Sequence, residues 1–250
     1  MFAQERTALI LDCLVREPRQ SAAELQKRLG ISRSTLRRDL IELEEAGRVM
    51  RVHGGVVLAG RAVGEPSFDR KQRHAVRAKQ AIAKAVAAEI AEGSQVFVDG
   101  GTTCLHAARL LMAREDLTLW TNSIRLLAEA ERSLAAVHCI GGQVRGRSMS
   151  LFGGLAARWL GQLHVDVALI GASGVDAAGP RTADLNDASL KRDAIEAAER
   201  SWLLADVTKW RQPAAVRFAE WGHFDAWFAE RSEHLSIDLP ADRGCEFRRV

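Results

Sequence analysis

The stretch that decides the N-terminal fold reads Leu29-Gly30-Ile31-Ser32-Arg33-Ser34-Thr35-Leu36-Arg37-Arg38-Asp39-Leu40. Gly30 is suited to close one helix, and Ser32 is suited to cap the next, because a serine side chain accepts from the N–H groups of a first turn. In the second helix, Leu36 and Leu40 recur at helical spacing. Two helices joined by so tight a turn predict a helix-turn-helix.

The flanking sequence completes a small domain around this turn. Upstream, an apolar stripe that includes Ile10 and Leu14 predicts a helix, and Ser21-Ala22-Ala23-Glu24 has the form of a capping box. Downstream, residues 48–58 read as two short strands around a glycine turn. We therefore predict a winged helix-turn-helix domain over residues 1–58. The glycine- and proline-containing residues that follow predict a linker over 59–74.

Polar side chains that suit nucleic acid cluster at the start of the second helix of this motif. Hydroxyl and guanidinium groups there can reach phosphate oxygens or guanine edges in a major groove. The net charge of the chain is +3, and all of this excess lies in residues 1–61, as expected for the part that meets phosphates. An ordinary three-helix module with a solvated face is the alternative. The candidate residues on this helix are Ser32, Arg33, Ser34, Thr35, Arg37 and Arg38.

From Lys79 onward, short apolar strands alternate with helices. This alternation predicts an α/β domain over residues 75–250, with a mostly parallel sheet covered by helices on both faces. The predicted strands are 96–98, 117–120, 137–140, 167–170 and 202–204. The predicted helices are 103–113, 123–134, 155–163 and 189–200.

One of these strands leads directly into glycines and threonines, in the order Val96-Phe97-Val98-Asp99-Gly100-Gly101-Thr102-Thr103. Glycines let a ligand approach the backbone, and threonine hydroxyls and a helix N-terminus donate to an anion, so the pattern suits a phosphate. Such turns also occur for purely structural reasons. Further loops after strands are expected at the same edge of the sheet: Thr121-Asn122-Ser123, Gly141-Gly142 and Gly171-Ala172-Ser173-Gly174.

Several classes of protein are not supported by the sequence. Neither GxxxxGK[ST] nor GxGxxG is present, which argues against a nucleotide triphosphatase and a dinucleotide site. The four cysteines and the histidines show no metal-ligand spacing. No apolar run approaches the roughly 18 residues of a membrane span, and the start lacks the pattern of a signal peptide. We therefore expect a cytoplasmic protein with no membrane partner, no metal and no cofactor.

The N-terminal part resembles the DeoR/GlpR family of bacterial transcriptional regulators over about residues 3–58. The resemblance rests on Ala23-Glu24-Leu25, residues 31–40, Leu43-Glu44 and Arg51-Val52-His53-Gly54-Gly55. It implies that the arginine-rich helix enters the major groove of DNA and that the His-Gly-Gly hairpin is the wing. Arg51 and His53 would then lie near the DNA backbone, although a supporting role in the turn is the alternative for His53.

The second part resembles the effector domain of the same family over about residues 65–230. That domain is similar in fold to ribose-5-phosphate isomerase, and its ligand is a sugar or polyol phosphate. The resemblance implies that Lys191 and Lys209 are charge partners of the phosphate, with solvated lysines as the alternative. The predicted effector site comprises Asp99, Gly100, Gly101, Thr102, Thr103, Asn122, Gly141, Gly142, Lys191, Asp206 and Lys209.

This chain departs from the family pattern at three places in the effector domain. The family usually has serine where Gly100 stands and Gly-Leu-Thr where Gly179-Pro180-Arg181-Thr182 stands. It has Thr-Asp where this chain has Ala229-Glu230. These departures do not touch the predicted phosphate cradle, but they leave the identity of the sugar open.

Together, these features predict a non-enzymatic repressor of a carbohydrate-metabolism operon that a phosphorylated sugar or polyol releases from its DNA operator. A homo-oligomer is expected, because one recognition helix reads only a few base pairs. One alternative is a sugar-phosphate isomerase fused to a DNA-binding domain, whose general base could be Asp99, Asp184 or Asp187, none with a defined partner. Another alternative is a constitutive DNA-binding protein with a degenerate sensor.

Overall fold

The computed structural model describes residues 3–17, 19–45, 48–52, 55–58, 66–232 and 244–250. Contacts between Cα atoms divide the chain into two compact units, Met1–Gly64 and Glu65–Val250. Within the described ranges, the helices are too short or too polar to cross a lipid bilayer.

The smaller unit is a winged helix-turn-helix, as predicted. Its antiparallel sheet has the strand order β1-β3-β2, in which β2 and β3 form the hairpin. The apolar stripes of the three helices meet in one core with this hairpin, which fixes the orientation of the third helix. The elements are α1 (Ala3–Arg16), β1 (Arg19–Gln20), α2 (Ala22–Leu29), α3 (Arg33–Glu45), β2 (Val49–Val52) and β3 (Gly55–Leu58).

The turn between α2 and α3 has the expected caps. At the start of α2, Ser21 and Glu24 form a reciprocal capping box. At its end, Gly30 has φ +63°, in the left-handed region that favours glycine, and its N–H donates to the carbonyl of Gln26. The backbone N–H of Thr35 donates to the Ser32 hydroxyl at 3.1 Å, so Ser32 caps α3.

The larger unit is an α/β domain whose described elements follow each other in the predicted alternation. They are α4 (Phe68–Arg73), α5 (Val76–Glu89), β4 (Gln95–Val98), α6 (Thr102–Leu111), β5 (Thr118–Thr121), α7 (Ile124–Glu129), β6 (Ala136–Cys139), β7 (Gln143–Arg145), β8 (Ser150–Phe152), α8 (Gly154–Leu160), β9 (Val165–Gly171), β10 (Gly174–Asp176), β11 (Gly179–Thr182), α9 (Leu185–Glu196), β12 (Ala198–Leu204), β13 (Val216–Arg217), β14 (Ala226–Ala229) and β15 (Glu246–Arg249).

The main sheet of this unit has the order β15-β14-β12-β9-β4-β5-β6, and its neighbouring strands are all parallel. From β4 the chain proceeds outward through β5 and β6, then returns to β9 and proceeds to the opposite edge. The strand order therefore reverses between β4 and β9, and open α/β sheets bind ligands outside the carboxyl ends of the strands at such a reversal.

Apolar side chains form a separate core on each face of this sheet. Helices α5 and α6 contribute to the core on one face, and α8 and α9 contribute to the core on the other. The predicted fold class, a mostly parallel sheet covered on both faces, is confirmed. A parallel sheet buried in this way has near-continuous apolar strands. In β9 every residue except Asp166 is buried, and in β4 every residue except Gln95 is buried.

The structure differs from the predicted boundaries in three main places. The helix predicted over 123–134 is α7, which ends at Glu129. The helix predicted over 189–200 is α9, which starts and ends earlier, and β12 begins at Ala198; the first residues of β12 are polar and partly exposed, so they resemble a helix end. Residues 68–73, predicted as linker, form α4. The other residues of α4 are charged or polar, and its one apolar residue, Phe68, is 1% exposed in the core of the larger unit.

Two small antiparallel sheets, β7-β8 and β10-β11-β13, and the last two strands of the main sheet, β14 and β15, were not predicted. The β7-β8 hairpin is tied to the start of α4, because the Phe68 N–H donates to the carbonyl of Arg147 at 2.9 Å. The β10-β11 pair lies directly after β9 and carries Thr182 at its end. Both additions therefore place side chains near the carboxyl edge of the main sheet.

Candidate functional site

The polar face of α3 is the candidate surface for nucleic acid. Side chains at positions 32, 33, 34, 37 and 38 are exposed and the Thr35 side chain is half-buried, whereas Leu36 and Leu40 are buried in the core. The Ser32 hydroxyl lies 2.9 Å from that of Ser34 and 2.8 Å from that of Thr35. The first turn thus presents a cluster of hydroxyl groups, followed by two guanidinium groups.

Two predicted residues of the wing lie at or beyond the limit of the described chain. The backbone of Arg51 belongs to β2, but its side chain is outside the described residues, as are His53 and Gly54. The roles of Arg51 and His53 stay predictions.

Asp39, in the middle of the arginine-rich motif, has a structural partner that the sequence did not indicate. Its carboxylate is 1% exposed and accepts two hydrogen bonds from Arg6, at 2.7 Å from Nε and 2.9 Å from the guanidinium Nη2. This bidentate ion pair links α1 to α3. Arg6 lies 33 positions away, so no local pattern reveals the pair.

A pocket lies at the carboxyl ends of β4 and β9, where the strand order reverses. At its base, the loops after these strands touch: a Cβ on Gly101 would lie 3.6 Å from the Cα of Gly171. The first turn of α6 opens onto the pocket with no side-chain cap at Gly101, so its N–H groups are suited to an anion. The pocket is lined by Lys71, Asp99, Gly100, Gly101, Thr102, Thr103, Ser148, Ser150, Gly171, Ala172, Ser173, Thr182, Asp187, Lys191 and Lys209.

Seven of the predicted effector residues therefore line one pocket: Asp99, Gly100, Gly101, Thr102, Thr103, Lys191 and Lys209. Two others lie behind its wall. Asn122 is buried, and its Oδ1, without a partner among the described residues, would lie 3.6 Å from a Cβ on Gly100. Asp206 is also buried; Oδ1 accepts from the N–H of Thr208 at 3.2 Å, and Oδ2 has no described partner.

Gly141 and Gly142, which were also predicted as effector residues, do not line the pocket. Both have positive φ, +72° and +117°, and a Cβ on Gly142 would lie 2.5 Å from the carbonyl oxygen of Phe152. They shape the entry into the β7-β8 hairpin, because only glycine allows this backbone conformation and close approach.

Ser150 explains why glycine stands at position 100, where the family usually has serine. A Cβ on Gly100 would lie 2.9 Å from the Cβ of Ser150, too close for any side chain. The hydroxyl of Ser150 lies 2.7 Å from that of Ser148, and both hydroxyl groups belong to the wall. The hairpin thus supplies hydroxyl groups to the pocket beside the loop that follows β4.

The buried ammonium of Lys191 has two carboxylate neighbours. Its Nζ lies 2.6 Å from Asp99 Oδ2 and 3.7 Å from Asp187 Oδ2. Asp187 also accepts from the hydroxyl of Thr182, and Asp99 accepts from the N–H of Gly171 at 3.0 Å. Burial lowers the pKa of Lys191, but the charges of Asp187 and Asp99 outweigh burial and hold this pKa above its ordinary value.

Three further lysines are grouped at another part of the pocket. Lys71 and Lys209 line it, and Lys79 is buried behind them, where Nζ donates to the carbonyls of Lys71 and of His74, the latter at 2.6 Å. The pKa of Lys79 is lowered to about 8. Burial is the main cause, the charges of Lys209 and Lys71 add to it, and the charge of Asp206 acts against it. Burial also lowers the pKa of Lys209.

Sequence reasoning missed Lys71, Lys79, Ser148, Ser150, Thr182 and Asp187 as residues of the effector site, although it named Asp187 as a candidate general base. One signal was available for Lys79, since it continues the buried stripe of Ile82 and Val86 at helical spacing. Lys71, Ser148, Ser150 and Thr182 come from elements or turns that local pattern did not reveal, namely α4, the β7-β8 hairpin and β11, and Asp187 precedes the predicted start of α9. In the described part of the chain, no cluster of three or more histidine, cysteine or acidic side chains could hold a metal ion.

Both units match known family models. Residues 6–61 match the model of the DeoR-like helix-turn-helix domain, and residues 74–231 match that of the DeoR C terminal sensor domain. The chain is 31% identical to the HTH-type transcriptional regulator GlpR of Haloferax volcanii, over 92% of this chain and 91% of the relative. It is 30% identical to the glycerol-3-phosphate regulon repressor of Escherichia coli, over 91% of each. A solved ribose 5-phosphate isomerase A from Neisseria gonorrhoeae is 14% identical, with a TM-score of 0.39 over 53% of this chain and 52% of that one.

Proposed function

Since this chain belongs to the DeoR family of DNA-binding transcriptional regulators, we propose that it is a cytoplasmic repressor of a carbohydrate-metabolism operon, released from its operator by a phosphorylated sugar or polyol. The observation that supports this most is the pocket at the reversal of strand order, which gathers a helix N-terminus, two threonines and lysines. A glycerol-3-phosphate regulon repressor among the relatives supports the chemistry of the effector.

The DNA side of the proposal places the exposed face of α3 in a major groove. Ser32, Ser34 and the N-terminus of α3 bind backbone phosphates or base edges, and Arg37 and Arg38 add charge. One helix reads only a few base pairs, so two copies of the chain bind two half-sites, and the protein acts as a dimer or a larger assembly.

We expect Arg38→Ala to weaken operator binding without unfolding the protein, because the Arg38 side chain is exposed on α3. Loss of one phosphate contact reduces the slope of log K against log salt by about 0.9, and loss of a base contact costs about 1–3 kcal/mol. Fluorescence anisotropy at several salt concentrations, on a DNA fragment that the wild-type protein selects from a random library, measures both. Lys84→Ala, an exposed lysine on α5, is the control, and unchanged affinity and slope in Arg38→Ala would contradict the assignment.

The effector side of the proposal places the phosphate on the first turn of α6. The hydroxyls of Thr102 and Thr103 and the N–H groups of that turn donate to its oxygens, and Lys209 and Lys71 supply positive charge. The carboxylates that already surround Lys191 make it a weaker charge partner than the sequence suggested. The sugar hydroxyls then face Thr182, Asp187 and the two serines of the hairpin.

We expect Thr103→Val to keep the fold and the operator affinity but to lose most of the response to effector. Removing one hydrogen bond to a charged group costs roughly 1.5–3 kcal/mol, which weakens effector binding about tenfold to a hundredfold. The experiment is a thermal-shift screen of the full chain against sugar and polyol phosphates, followed by release of labelled DNA with each compound that binds. Thr118→Val, at the opposite end of a neighbouring strand, is the control. Release of DNA at the wild-type effector concentration would refute the placement.

The isomerase alternative is not favoured. The relatives that match nine tenths of the chain are transcriptional regulators. Of the candidate bases, Asp99 and Asp187 are held by Lys191, and Asp184 lies 2.6 Å from the guanidinium of Arg145 and caps α9. Turnover of a sugar phosphate by the protein in a coupled assay would support the isomerase alternative.

A further inference from the structure

The charges in the wall of the pocket form two groups of opposite sign. The cationic wall consists of Lys71 and Lys209. The anionic wall consists of Asp99, Asp187 and Lys191, whose two carboxylates and one ammonium leave one negative charge. The first wall is suited to an anion and the second is not.

Lys71 and the residues of α9 reach the pocket from opposite faces of the sheet, whereas the neighbours of Lys209, Val207 and Trp210, pack in the same core as α9. Lys71 lies on α4, whose Phe68 packs in the same core as α5 and α6. Asp187 and Lys191 lie on α9, which packs in the core on the opposite face of the sheet. The first turn of α6, where the phosphate is proposed to bind, therefore shares a face with Lys71. A ligand that extends from this turn across the pocket approaches α9.

The anionic wall is built for hydroxyl groups. Thr182 is fully buried and donates to Asp187, which fixes that carboxylate beside the pocket. Carboxylate oxygens accept hydrogen bonds from sugar hydroxyls, and the hydroxyls of Ser148 and Ser150 can donate or accept. A phosphate or carboxylate at this position would instead meet a like charge with little water to screen it, which weakens binding.

We propose that the pocket selects monophosphates of uncharged sugars or polyols and rejects ligands with a second anionic group, because Lys191 is already paired with Asp99 at the base of the pocket and the Asp187 carboxylate confronts the end of the ligand that lies away from the phosphate. This inference rests on the proposed function, since it assumes that the pocket holds the effector. It assigns to the anionic wall a role in specificity that is separate from phosphate binding.

The test is calorimetric titration of the full chain with matched ligands. Ribose 5-phosphate, fructose 6-phosphate and glucose 6-phosphate are compared with ribulose 1,5-bisphosphate, fructose 1,6-bisphosphate and 6-phosphogluconate. We expect the best monophosphate to bind at least about tenfold more tightly than its counterpart with a second anion. Equal or tighter binding of the doubly anionic ligands overturns the inference and leaves the sensing role intact. If no compound of either set binds, and none of the sugar and polyol phosphates in the thermal-shift screen binds either, the sensing role itself fails.

Asp187→Asn tests the cause of the selection. Asparagine keeps an oxygen that can accept from Thr182 but removes the charge, so the ratio between the two ligand classes should fall by about tenfold or more. Asp193→Asn, the same change on the same helix at a residue outside the pocket wall, should leave the ratio unchanged. An unchanged ratio in Asp187→Asn overturns the inference, and the wild-type comparison decides it even where Asp187→Asn does not fold.

Discussion

Lys191→Met should destabilise the larger unit by about 3–5 kcal/mol. The substitution leaves Asp99, which is 1% exposed, and its neighbour Asp187 without their cation, and an uncompensated buried charge is strongly unfavourable. All six tryptophans of the chain lie C-terminal to residue 65, so tryptophan fluorescence during urea unfolding reports on this unit. The free energy of unfolding obtained from this signal is compared between Lys191→Met and the wild-type protein.

Two further variants separate the ion pair from the side chain itself. Lys84→Met makes the same chemical change at an exposed helical position and should alter the free energy of unfolding by less than about 0.5 kcal/mol. Adding Asp99→Asn and Asp187→Asn to Lys191→Met removes the orphaned charges and should recover part of the loss. A midpoint for Lys191→Met equal to that of wild type would show that these carboxylates do not depend on Lys191.

Leu25→Ala should abolish DNA binding while leaving effector binding unchanged. Leu25 is fully buried in the core of the smaller unit, and truncating such a leucine costs about 2–5 kcal/mol. A domain of roughly 60 residues has little more stability than that to lose. The recognition helix depends on this core for its orientation, because its own apolar side packs there.

The readouts for Leu25→Ala are operator affinity, far-UV circular dichroism and the tryptophan signal. We expect the first to vanish, the second to lose some helical signal and the third to stay at its wild-type midpoint. Leu9→Ala, a leucine on α1 that is 43% exposed, is the matched control and should bind DNA normally. Wild-type operator affinity in Leu25→Ala would contradict the packing described for this unit.

The sequence predicted the smaller unit almost completely, because its structure is determined locally. Ser21, Gly30 and Ser32 cap helices whose neighbours lie within a few residues. The ion pair of Arg6 and Asp39 escaped prediction because its partners are far apart in the chain. A contact between residues that are close in sequence produces a local sequence pattern, whereas a contact between residues far apart in the chain is seen only in the folded structure.

The pocket shows the same division. The threonines and glycines that follow β4 were predicted from a strand that runs into a helix, and the structure places them in the pocket wall. Gly141 and Gly142 follow a strand in the same way, yet their backbone turns into a hairpin. Thr182 comes from a small sheet whose short strands have no apolar alternation, and Asp187 lies in the first turn of α9, before the predicted start of that helix at 189, so neither was predicted beside Lys191.

Helix α4 lies where a bound effector and the start of the larger unit come together. The helix touches the pocket through Lys71, and its first residue is held by the hairpin that carries Ser148 and Ser150. It is also the first described helix after residue 65, where the larger unit begins. An effector that contacts Lys71 therefore bears directly on the segment with which the larger unit begins, and this contact requires no change in the β-sheet.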